Sequence, residues 1–268
     1  MMQYYQVPPS PALEPYVQYF WVFSEPENDP VLKTYKVIAD GEPGMVFQFN
    51  LAFYNTQQEL LPHFFLYGQS TRNMYNYSRG SFMNIGVVLR PDAVRSIFGI
   101  DSCDLTNSTL DLSLLDGNAM PEQLINCNDV EEGIQLLSGY ILRKAAQHRH
   151  KNNQLVAWAS QKLLADPGVN SLKEVRQELN ISERSLERLF KINIGMSPKL
   201  YARVCRFQAS LNSLRNNGYE KLSDISYGNG YADQSHFIRE FREFSGVTPN
   251  AWLRKAVEVV ENYPEWKL

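Results

Sequence analysis

The sequence predicts a multidomain α+β chain. A small antiparallel β barrel or sandwich with some helices comes first, and an all-α part of two helix-turn-helix units joined by a long helix follows. Three observations carry this expectation. Over the first ~90 residues, short β-branched and aromatic runs alternate with turn signals. From Leu155 onward, apolar residues recur at helical spacing almost without a break. The charge also divides. Residues 1–150 hold nine Lys/Arg against sixteen Asp/Glu, a net −7, while residues 171–255 hold fourteen against nine, a net +5. The whole chain of 268 residues sums to only −3. That average conceals a basic half able to approach phosphates and an acidic half that opposes non-specific contact with them.

Taken in order, the candidate strands are Tyr19–Phe23, Thr34–Ile38, Met45–Asn50, Phe64–Gly68 and Phe82–Leu89. Turn-rich segments separate them: Pro26–Pro30, Asp40-Gly41-Glu42-Pro43-Gly44 and Gly68–Asn73. This spacing suits a small barrel or sandwich. After Arg90-Pro91 a short helix is expected at Asp92–Phe98, then a polar loop through Asp101–Asp116. A longer helix from about Asn128 to His148 follows, with Val130, Ile134, Leu137, Ile141 and Leu142 at helical spacing. Residues 1–127 thus read as a β-rich part and 128–153 as a helical connector. The polar run Lys151–Gln154 is the boundary before a helical part at 154–268.

In that last part helices are expected at Leu155–Ala165, Leu172–Leu179, Glu183–Asn193, Pro198–Asn216, Ser223–Asn229, Asp233–Ser245 and Pro249–Val260. Ser171-Leu172-Lys173-Glu174 has the form of a capping box. Ser197-Pro198 places an N-cap before a proline at the first helical position. Leu200, Val204, Phe207, Leu211 and Leu214 step by four, three, four and three, the buried stripe of a long helix.

Other classes are set aside on composition. A hydrophobic fraction of 44% excludes a disordered chain. No run approaches the ~20 apolar residues of a membrane span. The start, Met1-Met2-Gln3-Tyr4-Tyr5-Gln6, lacks the basic and apolar regions of a signal peptide. Cys103, Cys127 and Cys205 are odd in number and widely spaced, which argues against a disulfide framework or a zinc knuckle and fits a reduced cytoplasm.

A short helix, a turn and a longer helix occur twice. The first copy, within 172–193, is Leu172–Leu179, Asn180-Ile181-Ser182 and Glu183–Asn193. The second, within 223–245, is Ser223–Asn229, Gly230-Tyr231-Ala232 and Asp233–Ser245. The helix at 198–216 links them. Asn180 and Gly230 open each turn, where a left-handed backbone is often needed, and Ile181 and Tyr231 are the apolar plugs. In the first second-helix, Leu186, Leu189 and Phe190 face inward, leaving Glu183, Arg184, Ser185, Glu187, Arg188 and Lys191 outside. In the second, Phe237, Phe241 and Phe244 face inward, leaving Gln234, Ser235, His236, Arg239, Glu240 and Arg242 outside. A recognition helix reads bases from its first turns. Arg pairs bidentately with guanine and Gln with adenine, while Lys mostly serves phosphates.

These residues resemble the AraC/XylS family of bacterial transcription regulators over roughly Ser171–Arg254. The densest stretch is Gly230-Tyr231-Ala232-Asp233-Gln234-Ser235-His236-Phe237-Ile238-Arg239-Glu240-Phe241-Arg242. It continues through Ser245-Gly246-Val247-Thr248-Pro249 to Trp252-Leu253-Arg254. Upstream, Ser182, Leu186, Arg188, Leu189, Phe190 and Lys191 fit the first unit, and Gly195-Met196-Ser197-Pro198, Tyr201 and Arg206 fit the connector. The resemblance implies two subdomains whose recognition helices enter successive major grooves of promoter DNA, with RNA polymerase as a further partner. By position, Arg184, Ser185, Arg188 and Lys191 on the first helix would contact DNA, with Gln234, Ser235, His236, Arg239 and Arg242 on the second. Arg176 and Ser226 stand where the family usually has Ala, and Asn229 where it has an apolar residue.

The first half resembles the cupin-like N-terminal domains found on many such regulators. The likeness rests on Pro11-Ala12-Leu13-Glu14-Pro15-Tyr16-Val17 leading to Trp21, on Asp40-Gly41, on Gly68-Gln69-Ser70-Thr71-Arg72 and on Val87-Val88-Leu89-Arg90-Pro91. Such a barrel can hold a small-molecule effector. Candidate contacts are Trp21, Tyr35, Phe47, Phe49, Phe65 and Tyr67, with Arg72 and Arg90 as polar anchors, although alternation on strands forbids all of them from sharing one face. Effector sensing and homodimerisation or protein contacts both stay open for this half. A metal-dependent cupin enzyme would need two or three His plus a carboxylate. His63 is the only His of the β part, and His148 and His150 step by two. No nucleophile elbow or P-loop is present. The expectation is therefore a regulator with no metal, no cofactor and no catalytic site.

Overall fold

The computed structural model describes residues 2–28, 30–148, 154–165, 167, 172–216, 218–257, 260, 263 and 265–266. The expected boundary at Lys151–Asn153, the capping residue Ser171 and His150 lie outside the described residues.

Nine strands form in the first half: β1 (Gln3–Val7), β2 (Val17–Glu25), β3 (Lys33–Val37), β4 (Gly44–Gln48), β5 (Phe53–Tyr54), β6 (Phe64–Tyr67), β7 (Met74–Ser78), β8 (Phe82–Leu89) and β9 (Thr109–Asp111). They make two antiparallel sheets. The first has the order β1-β2-β8-β4-β6-β9, and the second contains β3-β7-β5. The expected strands at β2, β3, β4, β6 and β8 are present. The expected polar loop at 101–116 instead holds a 3-10 turn at Ser102–Asp104, β9 and a short helix, α2 (Ser113–Asp116).

Alternation along the first sheet sets its two faces. Phe20, Met45, Phe47, Phe64, Leu66, Ile85, Val87 and Leu89 point to one side. There they pack with α1 (Ala93–Phe98), α3 (Ala119–Ile125) and α4 (Val130–Gln147), through Ile97, Leu124, Leu137, Tyr140 and Ile141. Gly133 lets α4 come close: a Cβ there would lie 2.7 Å from Ile85 Cδ1. The other face carries Tyr19, Trp21 and Phe23 of β2, Val46 and Gln48 of β4, Phe65 and Tyr67 of β6, and Asn84 and Val88 of β8. Trp21 lies across Gly86, its partner on β8, so closely that a Cβ at Gly86 would fall 1.8 Å from the indole.

The second half is helical: α5 (Gln154–Ala165), α6 (Leu172–Leu179), α7 (Glu183–Ile194), α8 (Pro198–Arg215), α9 (Leu222–Gly228), α10 (Gln234–Ser245) and α11 (Pro249–Lys255). α8 is the hub. Tyr201, Val204, Phe207, Leu211 and Leu214 are buried in one core with Leu186 and Phe190 of α7, and with Phe237, Phe241 and Phe244 of α10. The two turns share a backbone pattern. Asn180 (φ 51°) and Gly230 (φ 71°) are left-handed, and the Ile181 and Tyr231 amides donate back to the Arg176 and Ser226 carbonyls. The second turn is one residue longer, because Asp233 caps α10 through the His236 amide whereas Ser182 caps α7 through that of Ser185.

Two expectations are corrected here. Glu240 does not face solvent: it is 2% exposed, accepts from Arg206 Nε (3.0 Å) and Nη2 (2.8 Å) and from Arg203 Nε (2.9 Å), and so ties α8 to α10. The last helix stops at Lys255 rather than Val260. The chain then forms β10 (Ala256–Val257) and β11 (Glu265–Trp266), which extend the second sheet beside β3. On the way Val260 is buried in the aromatic core of the first half, and Tyr263 stacks on Tyr35 with centroids 5.0 Å apart and planes 5° from parallel.

The halves also interlock through the loop after β3. Ile38 and Ala39 are buried in the helical core, Gln208 of α8 donates to the Ala39 carbonyl (2.6 Å), and Gly41 abuts Tyr201 and Val204. Ser102 donates to the Asn193 carbonyl and Thr106 to that of Gly195, both at 2.7 Å, at the C-terminal end of α7.

Glu240→Ala should cost about 2–3 kcal/mol in urea unfolding, because it strands the partly buried Arg206 guanidinium and leaves Arg203 with Glu243 alone. Gly86→Ala should cost about 1–3 kcal/mol by overpacking and shift tryptophan emission, because the Trp21 ring must move.

Candidate functional site

Two places gather side chains suited to recognition. The first is the outer surface of α7 and α10. Each helix has a side-chain N-cap and an apolar face sunk against α8, so its opposite face is turned out. Arg184, Arg188 and Lys191 on α7 are exposed, as are Gln234, Ser235, Arg239 and Arg242 on α10. Ser185 is half-buried, and its hydroxyl is paired with that of Ser182 at 2.9 Å. His236 is also half-buried. Its ring stands edge-on to Tyr231 (5.4 Å), with Nε2 3.9 Å from the Glu240 carboxylate.

Between the two units runs a groove lined by Lys199, Arg203, Arg206, His236 and Arg239, with the buried Glu240 and the exposed Glu243 among them. Lys199 and Arg203 were not among the residues singled out from the sequence. Their signal was present, since they lie one helical turn apart on α8, but the stripe analysis of that helix considered only its apolar side. The C-terminal ends of both α7 and α10 are covered by the first half, through Asn193, Gly195 and Phe244. Their first turns are not.

The second place is a cavity of about 750 Å³ between the two sheets, within the range of small-molecule sites. Trp21, Phe23, Phe53, Phe65 and Tyr67 supply aromatic wall. Of the residues expected to touch an effector, Trp21, Tyr67 and Arg72 line it, as does Phe65, and Arg72 is exposed. Tyr35 is fully buried in the aromatic core just behind, packed on Phe23 and Phe53 and covered by Tyr263. Phe47 and Phe49 do not line it. They sit on the opposite face, in the core against the helices, because odd-numbered residues of β4 point away from the cavity. Arg90 is also elsewhere, donating to the Glu14 carbonyl.

Sequence reasoning missed the cavity's polar groups. Gln48 and Asn84 face each other across β4 and β8, and both are buried. Gln48 donates through Nε2 to the carbonyls of Leu61 (3.1 Å) and Pro62 (2.8 Å). Its Oε1, and Oδ1 of Asn84, have no hydrogen-bond partner among the described residues. A buried acceptor left unpaired costs roughly 1–3 kcal/mol, so such a pair marks a place where a ligand has something to offer. Asp40 and Glu42 line the cavity from the loop that docks on α8. Burial, then the nearby Glu42 carboxylate, raise the Asp40 carboxyl well above the usual range. Val260 and Tyr263 of the C-terminal segment complete the wall. No helix among the described residues is long and apolar enough to cross a membrane.

Two family models match the chain. Residues 176–255 match a family described as a helix-turn-helix domain, and residues 5–111 match one described as a domain of unknown function. The HTH-type transcriptional activator RhaS of Citrobacter koseri is 28% identical over 41% of this chain and 38% of its own length. That of an Enterobacter species is 32% identical over 35% and 32%. The chain thus spans about two fifths of the length of the curated relatives it matches. A solved structure of ToxT from Vibrio cholerae aligns over 94% of this chain and 98% of its own, with 11% identity and a TM-score of 0.49. Another ToxT structure, with an unsaturated fatty acid bound, has 14% identity and a TM-score of 0.48 over 87% and 94%. Over residues 176–255 the chain thus carries a helix-turn-helix domain, and it is similar there to these transcriptional activators.

Proposed function

We propose that this protein is a sequence-specific transcription regulator. It binds promoter DNA through α7 and α10 and is governed by a small molecule held between the sheets of its first half. The observation that carries the reading is the pair of capped helices on one hub, each offering Arg, Lys or Gln from exposed first turns. On α10, Gln234 and Arg239 are the base readers, with Ser235, His236 and Arg242 completing the contact. On α7, Arg184 and Arg188 read bases, Ser185 supports the helix start and Lys191 meets phosphate. Lys199 and Arg203 in the groove between the units add phosphate contacts. The docking of the cupin-like half on the C-terminal ends of both helices leaves those surfaces available.

The cavity favours sensing over a purely architectural role, because an aromatic-walled space of small-molecule size carries buried acceptors that a ligand could pair. A ligand shifts the protein only by binding two arrangements unequally. The loop 38–42 and the segment 256–266 are the parts that touch both the cavity and the helical half, so they are the elements whose positions a ligand would bias. RNA polymerase as a partner, a homodimer as the working form and a cytoplasmic location complete the proposal. The relatives named above are transcriptional activators, and no catalytic role is assigned to this chain.

Arg239→Ala and Gln234→Ala should each weaken binding to the cognate promoter fragment by about 1–3 kcal/mol, with far smaller effects on random DNA, as measured by fluorescence anisotropy. Equal losses on both DNAs would make these residues phosphate contacts. Affinity should also fall with salt, with a log–log slope of about 0.9 per phosphate neutralised, and Lys191→Ala should reduce that slope by about one contact. Binding that does not respond to salt would overturn the DNA-binding reading.

A further inference from the structure

Along the β4–β8 wall of the cavity and the loop beside it, hydrogen-bond acceptors stand at both ends. At one end Gln48 is held by the Leu61 and Pro62 carbonyls, which fixes its carboxamide and leaves Oε1 facing inward without a partner; Asn84 Oδ1, opposite it, is also unpaired. In the middle, the Trp21 indole is laid flat over Gly86 with Phe65 and Val46 beside it, a platform for a ring. At the other end Tyr67 places its hydroxyl over Gly44, and Asp40 and Glu42 enter from the adjoining loop. No basic side chain lies within ion-pair distance of Asp40 among the described residues. Arg72, exposed, is the sole basic residue of the described lining. Gln48 lies four residue steps along β4 from Gly44, so at ~3.3 Å per step the two ends are about 13 Å apart.

We infer that the cavity takes a flat organic cation: an amine or guanidine at Asp40 and Glu42, a ring on Trp21, and an O–H or N–H donated to the Gln48–Asn84 pair. The assignment rests on reading the cavity as an effector site, and it adds the chemical class. A carboxylate at the Asp40–Glu42 end would bring negative charge beside two acidic groups. A cation there meets groups of opposite charge, and it favours the ionised form of Asp40 that burial, then the Glu42 carboxylate, disfavour. The same charge pair connects the site to the reading half. Asp40 and Glu42 flank Gly41, which rests on Tyr201 and Val204 of α8, while the Ala39 amide donates to the Phe244 carbonyl at the end of α10. A cation drawn to these carboxylates therefore acts on the segment that seats the two halves together.

Calorimetric titration of the full-length protein tests this with four probes: tyramine, 2-phenylethylamine, 3-(4-hydroxyphenyl)propionate and the fatty acid palmitoleate. Tyramine should bind. Its carboxylate counterpart should bind at least tenfold more weakly, and 2-phenylethylamine, which lacks the hydroxyl, should fall between them. Asp40→Asn should weaken tyramine at least tenfold while the ligand-free melting temperature stays within a few degrees. Gln48→Met should erase the advantage of tyramine over 2-phenylethylamine. Either carboxylate binding as well as tyramine would overturn the cationic class and leave the cavity an effector site. Failure of all four to bind would overturn the class and count against the effector site as well, while the DNA measurements above would still stand or fall on their own.

Discussion

The structure depends on a single sheet that is buried on both faces. Strands β2, β4, β6 and β8 send alternate side chains to opposite sides, and neither side is left to water. On one side α1 and α4 close the face completely with aliphatic and aromatic packing. On the other, the second sheet is shorter and stands off, and the space between becomes the cavity. The short strands β10 and β11 and the rings of Tyr263 and Tyr35 cover what the second sheet leaves open. The C-terminal segment of the helical half is thus needed to finish the first half.

The second dependency is α8. A long amphipathic helix can bury more than one stripe, and here both helix-turn-helix units and the loop 38–42 pack against it. The Arg206–Glu240–Arg203 cluster adds polar specificity to that hub. A buried carboxylate satisfied by two guanidinium groups fixes how α10 lies on α8, because no other placement pairs all three. The groove beside it is lined by Lys199, Arg203, Arg206 and Arg239, with Glu240 and Glu243 offsetting part of that positive charge.

The helix-turn-helix pair was legible because its signals are local. Caps, a left-handed turn residue and an apolar plug each act within a few residues, and α6 through α10 lie within a residue or so of where periodicity puts them. The cavity was only half legible. Aromatic residues on strands announced that something is enclosed, and Trp21, Phe65, Tyr67 and Arg72 do line it. The parity of β4 could not be read, since Met45, Val46, Phe47 and Phe49 present apolar groups to both faces. Gln48, Asn84, Asp40 and Glu42 passed unnoticed because an amide or carboxylate in a strand or turn looks like surface until its neighbours are known.

What the sequence alone determined is the class of the chain, the split of charge between its halves and the paired helix-turn-helix units, all consequences of short-range backbone and amphipathic rules. What tertiary structure decided is less local. It turned Glu240 inward, since only the approach of α8 brings Arg203 and Arg206 to it. It ended the last helix at Lys255, where pairing with the edge strand β3 and burial of Val260 and Tyr263 outcompete a continued helix. It placed Ile38 and Ala39 in the core of the other half, with Asp40 and Glu42 in the cavity wall. Each of these outcomes depends on contacts between residues far apart in sequence, and no window of local periodicity contains both partners.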